Sequence, residues 1–132
     1  MFPSPEWMDA YCVAYLERDP DGEVARVLDG TYRFVVEPAG PLSQRHAYDV
    51  AIGVDDDGPR ADRVDDDADR PRLTLTADYE RWRQLITGTL DVRMAMLLRR
   101  LRVSGDLSPL LGGLSSAAPL MDALSAVDTQ WR

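Results

Sequence analysis

The hydrophobic period of this chain changes from helical to alternating and back, and that change constrains the fold more than any other feature. Trp7, Met8, Tyr11, Cys12, Tyr15 and Leu16 recur at the spacing of one helical face, with Asp9, Glu17 and Arg18 largely off it. From Gly30 the pattern alternates: Tyr32, Phe34 and Val36 fall on one side of an extended segment and Arg33, Val35 and Glu37 on the other. Similar runs follow through Tyr48, Val50 and Ile52, weakly from Arg60 to Val64, and over Leu73-Thr74-Leu75-Thr76. Helical spacing returns with Tyr79, Trp82, Leu85 and Ile86, and Leu101-Arg102-Val103 alternates once more. Five strand segments flanked by helices have to bury their apolar sides against one another. Short connections make consecutive strands antiparallel neighbours in the simplest arrangement.

Local signals place the ends. Ser4-Pro5-Glu6 starts the first helix, because serine accepts from first-turn amides, proline tolerates the first position and glutamate suits the positive end. Asp19-Pro20-Asp21-Gly22 ends it, and Glu23 to Leu28 forms a short helical piece. Asp78 and Asp91 are N-caps, and Gly88 suits a helix C-terminus. Val92 and Met94 to Leu98 are apolar nearly all round, which predicts deep burial or a wall facing lipid. The tail carries Leu107, Leu110, Leu111, Leu114, Leu120, Met121, Leu124 and Val127. Gly112-Gly113 and Pro119 split it into two short helices that should pack against the sheet, with Pro119 early in the second. With 132 residues and no internal repeat, the expectation is one domain over 1–132.

Composition removes whole classes of function. All 15 basic residues are arginine, the 23 acidic residues are 18 Asp and 5 Glu, and the net charge is −8. Nucleic acid and electrostatic docking on anionic lipid both need basic clusters, and none is expected from this balance. Dense short carboxylates without lysine suit concentrated salt, though codon bias also removes lysine. Asp55-Asp56-Asp57 and Asp65-Asp66-Asp67 suggest Ca²⁺, but an EF-hand loop from Asp55 would need an oxygen ligand, Gly and Glu where Pro59, Arg60 and Asp66 stand. A solvated acidic loop and no metal are expected. Cys12 reads as a small core residue and His46 as a partly paired imidazole at a strand start. No apolar run approaches the roughly 20 residues of a membrane span, and Met1 to Trp7 lacks the pattern of a secretory leader. No stable membrane insertion and a cytoplasmic location are therefore expected.

The ordered set Trp82, Gly88, Asp91, Ala95, Leu101, Val103, Gly105 and Asp106, with the Glu6-Trp7 helix and the Phe34-Val35-Val36 strand, resembles the sterol carrier protein family across nearly the whole chain. One departure is Arg99, where family members often carry Gly; if that Gly serves a left-handed turn, Arg99 must avoid the conformation. The resemblance implies an α/β (α+β) domain with a five-stranded mixed, largely antiparallel sheet covered by helices, and an apolar tunnel between sheet and helices. It further implies noncatalytic binding or transfer of a lipid or fatty acyl ligand, with no cofactor. Candidate lining residues are Phe34, Val36 and Trp82 from the first strand and paired helices, and Met94, Leu97 and Leu101 around the last strand. Leu110, Leu114, Met121 and Leu124 of the tail complete the set. Unbranched Met94, Met96 and Met121 could contact an alkyl chain without demanding one shape, although the same residues could form a dry core. The competing function is an assembly or regulatory module whose apolar groove accepts a partner segment or a second copy. No nucleophile elbow, phosphate loop or paired histidine points to an enzyme.

Overall fold

The structure, a computed structural model, describes residues 1–64, 71–106 and 118–131. In chain order its elements are α1 (Pro5–Arg18), α2 (Glu23–Leu28), β1 (Gly30–Glu37), β2 (His46–Asp55), β3 (Gly58–Val64) and β4 (Leu73–Asp78). There follow α3 (Tyr79–Thr87), α4 (Val92–Leu97), β5 (Arg102–Gly105) and α5 (Ala118–Ala126). The caps form as the sequence predicts. Ser4 Oγ accepts from the Trp7 amide at 3.1 Å, Asp78 from Arg81 at 2.8 Å and Asp91 from Met94 at 3.3 Å.

The five strands make one sheet in the order β3-β2-β1-β4-β5. It is mixed: β1 runs parallel to β4, and the other three pairs are antiparallel. The expectation that consecutive strands are neighbours fails between β3 and β4. Once β2 has taken one edge of β1, the other edge is open, and β4 joins it with Leu73, Leu75 and Ala77 level with Tyr32, Phe34 and Val36. That register aligns their apolar sides, which is what a sheet buried on one face requires.

Helices cover this face. α1 packs on β2 and β3, α3 on β1 and β4, and α5 fits against α1 and α3. The described part of the tail thus meets helices rather than the sheet as its main support, burying Leu120, Ala123 and Leu124. Tyr11 donates its hydroxyl to the Leu120 carbonyl at 2.6 Å, and the Trp7 indole donates to Thr129 Oγ1 at 2.9 Å. The Trp82 indole donates to the Val35 carbonyl at 2.8 Å, fixing α3 on the central strand. The opposite sheet face is more polar. There Arg33 grips the buried Asp49 carboxylate through two bonds of 2.8 and 3.0 Å.

The all-round apolar pattern of residues 92–98 does not produce deep burial. Ala95 alone of α4 is fully buried; Met94, Leu97 and Leu98 are 48%, 76% and 50% exposed. A six-residue helix that buries Ala95 and packs Val92 and Met96 partly against the core turns its remaining sides to solvent. Arg99 then adopts φ 58, the left-handed conformation it was expected to avoid. It does so at the turn from α4 to β5, where the Arg100 amide returns to the Ala95 carbonyl at 2.8 Å.

Candidate functional site

The candidate lining residues fall in separate places. Phe34, Val36 and Trp82 meet Phe2, Trp7, Met8 and Tyr48 around an apolar void of about 10 Å³ beneath α1 and α3. That is about the room one water needs, so aromatic rings fill this part of the interior. Phe2 and Trp7 lie edge to face with centroids 4.8 Å apart, as do Tyr11 and Phe34 at 5.4 Å, and Phe34 and Trp82 are tilted to each other at 5.9 Å.

Two larger recesses flank α4. One, of about 310 Å³, is lined among the described residues by Leu85, Gly88, Leu90, Val92 and Met121, with Asp91, Arg93, Asp122 and Ser125 at its polar parts. The other, of about 250 Å³, is lined by Met96, Arg99, Leu101, Arg102 and Val103. Leu101 and Leu124 are buried, Met121 is half-buried, and Met94 and Leu97 point to solvent. Leu110 and Leu114 lie outside the described residues. The structure therefore joins Phe34, Val36 and Trp82 in one cluster and sets Met121 and Leu101 in two recesses on either side of α4.

The candidate lining set leaves out Leu90 and Val92 of the first recess and Phe2 and Met8 beside the void, although Val92 and Met8 carry the apolar spacing of their helices. Leu90 sits in the turn between α3 and α4, where neither helical nor alternating period applies. Phe2 precedes the first cap, yet its side chain is buried and its amide donates to the Gln130 carbonyl at 2.9 Å.

Reactive groups in the core are held inert. Burial, with Asp9 and Asp62 nearby, pushes the Cys12 thiol up to about 12, so it keeps its proton at neutral pH. Burial likewise raises Tyr11, and burial together with the Asp19 carboxylate that accepts its hydroxyl raises Tyr15. Asp19 also accepts the Val24 and Ala25 amides at 3.2 and 2.8 Å, so its role is to start α2. His46 Nδ1 lies 2.8 Å from the Tyr48 hydroxyl at the start of β2. In the acidic loop Asp55 accepts the Asp57 amide at 2.9 Å and faces Arg60 at 3.9 Å, while Asp65-Asp66-Asp67 lies outside the described residues. No helix among the described residues is long and apolar enough to cross a membrane.

Despite the net charge of −8, Arg93, Arg99, Arg100 and Arg102 fall in one stretch of sequence from α4 to the start of β5, with Arg93 at one recess and Arg99 and Arg102 at the other. The mean charge of a chain says nothing about its local distribution.

No curated protein sequence matches the chain. Among solved structures, a crystal structure of sterol carrier protein 2 aligns with a TM-score of 0.72 at 20% identity, over 96% of this chain and 99% of that one. A conserved hypothetical protein of Thermus thermophilus gives 0.69 at 19% identity, over 100% and 93%. The sterol carrier protein domain 2 of Helicoverpa armigera gives 0.58 at 17%, over 97% of each chain. At such identities the likeness establishes a shared fold, from the first helix to the last. The sequence profile of the SCP-2 sterol transfer family matches residues 14–111, which include all five strands and α4, and the chain belongs to that family.

Proposed function

We propose that the chain binds a lipid through its alkyl, acyl or isoprenoid part and carries it without catalysis. Family membership is the observation that carries this reading. The recesses on either side of α4 are where an apolar chain would lie: Leu90, Val92 and Met121 on one side, Met96, Leu101 and Val103 on the other. α4 separates them and is anchored inward chiefly by Ala95, so a shift of this short helix would merge the two into one apolar channel. The merged space would fall in the range of about 300–1,000 Å³ typical of ligand pockets. Leu101 and Leu124 would form its floor, and the aromatic cluster of Phe34 and Trp82 its closed end. Leu110 and Leu114 remain candidates for the wall supplied by the tail.

Affinity would come from burying alkyl surface, roughly 25 cal/mol per Å² before ordering costs. Polar side chains at the recess rims, Arg93 and Ser125 on one side and Arg99 on the other, would meet a polar headgroup. Mass spectrometry of organic extracts from the natively purified protein tests the reading. A stoichiometric lipid, and saturable binding of a fluorescent fatty acid after delipidation, are expected. A lipid-free protein that binds neither fatty acids nor isoprenoid alcohols refutes it.

A further inference from the structure

We propose that the free edge of β5 is a docking site for an extended peptide segment in which acidic residues alternate with apolar ones, added to the sheet as a sixth strand. β5 ends the strand order and pairs on one side only, with β4. The Asp106 amide donates to the Arg72 carbonyl at 2.8 Å, which marks these two residues as a hydrogen-bonded pair continuing the antiparallel ladder. Bonded and unbonded pairs alternate in such a ladder. Thr74 with Ser104 and Thr76 with Arg102 are therefore joined through their backbones, while Val103 and Gly105 turn their N–H and C=O groups away from β4. None of these outward groups has a hydrogen-bond partner among the described residues. At Leu101 the edge closes, because its amide donates to the Ala95 carbonyl of α4 at 3.1 Å.

The opposite edge of the sheet offers less. In β3, Pro59 has no amide to give, Arg60 faces Asp62 at 3.6 Å, and α1 packs against the strand.

The surroundings of the β5 edge state what kind of strand it fits. Val103 packs toward the core on the helix side and Leu101 is buried there, whereas Arg102 lies on the other face and pairs with Glu37. A recess of about 250 Å³ lined by all three, with Met96 and Arg99, thus straddles the free edge. A strand laid along it sends alternate side chains to its two faces. Those on the helix side would meet Met96, Leu101 and Val103, which suits leucine or valine; those on the other side would meet Arg102. Residues 92–105 hold four arginines and no acidic residue. Arg99 and Arg100 are exposed and make no ion pair among the described residues, and the nearby Asp106 is taken by Arg72 at 3.3 Å. Main-chain pairing with alternate side chains read by a pocket is how sheet edges recognise peptides, and the arginines make the peptide acidic. Charge also disfavours a second copy of the chain as the occupant, since pairing two β5 edges would bring both sets of arginines together. An alkyl cargo would share this recess, but peptide docking is measured on the delipidated protein and does not rest on the cargo reading.

The test is an amide NMR titration of the delipidated, isotopically labelled protein at low salt with a short blocked peptide in which glutamate alternates with valine. Saturable shifts centred on the Val103 and Gly105 amides, slower hydrogen exchange at both, and a Kd of about 1 mM or below are expected. Added salt should weaken binding. A peptide with lysine in place of glutamate, and one N-methylated along the edge that faces β5, should each bind at least about tenfold more weakly. Replacing Arg99 and Arg100 together with Gln should lower affinity about fivefold, with circular dichroism checking that the variant keeps the parent fold. Shifts absent from Val103 and Gly105, equal binding of the lysine or N-methylated peptide, or unchanged affinity in the double variant would each overturn the proposal. So would a concentration-dependent dimer of the protein alone that shifts the same two amides.

Discussion

Cys12 shows how far a single residue is set by its surroundings. Its place in the core is legible from the helical spacing it shares with Met8 and Tyr15, but its chemistry is decided by burial in the assembled core, with Asp9 of its own helix and Asp62 of β3 adding to it. The folded chain holds the thiol proton up to about pH 12, whereas a thiol freed by unfolding gives it up near 9. Between those values unfolding releases a proton, so stability is complete below pH 9 and falls as the pH rises through that window. Tyr32, raised by burial from 10.0 to about 12 against the opposing pull of Arg72, adds a second decline that starts one unit later. Melting curves recorded from pH 7 to 11 should therefore begin to drop near 9 in the parent and closer to 10 in Cys12→Ala. Superimposable profiles for the two proteins, after scaling to their neutral midpoints, would show that the thiol has no part in the alkaline response. Alkylating reagents should reach Cys12 in the native state only through opening of the fold.

At the scale of elements, periodicity and capping chemistry locate nearly every helix and strand, because each signal depends on neighbours a few residues away. Ser4, Asp78 and Asp91 all act as the caps their types predict. Two features escape such local reading. The parallel pairing of β1 with β4 depends on which edge of β1 is open after β2 has docked, a fact of the assembled sheet. The exposure of α4 depends on how much of the helix has a neighbour, and an all-apolar pattern carries no direction. Arg99 adds a local conflict, since an L-residue in the left-handed region costs roughly 1–2 kcal/mol, and glycine escapes this at some loss of chain entropy. Arg99→Gly should raise stability by about 0.5 kcal/mol, seen as a higher urea midpoint with unchanged slope. Arg99→Val, branched at Cβ, should lower it.

At the scale of the whole molecule, the apolar side chains under the helices divide into a close-packed cluster and a looser region around α4. Under α1 and α3 the aromatic side chains interlock and leave about 10 Å³; around α4 the recesses of about 310 and 250 Å³ remain. Of the candidate lining set, the sequence made Phe34, Val36 and Trp82 legible as inward residues, because alternation and helical spacing fix the side they face. It could not separate those that close the core from those that border open space, since both are apolar and both recur at the same periods. A tryptophan placed in each half distinguishes them. Val36 is fully buried against Phe34 and Trp82, so Val36→Trp should overpack the interior and cost about 1–3 kcal/mol or more, lowering the melting temperature by about 5 °C or more. Met121 is half-buried at the recess, where an indole has room, so Met121→Trp should leave the melting temperature within about 2 °C of the parent. If the recess holds the alkyl chain, the same indole occupies part of its space and fluorescent fatty acid affinity should fall about tenfold. Unchanged affinity in Met121→Trp would move the ligand away from this recess. Affinity lost only with Val36→Trp, at matched temperature below both melting points, would place it instead in the aromatic half, which would then have to open by displacing Phe2, Trp7 or Trp82. The two substitutions thus decide which half of the molecule yields to a ligand, because a close-packed interior resists added volume while an existing recess accepts it and trades it against bound lipid.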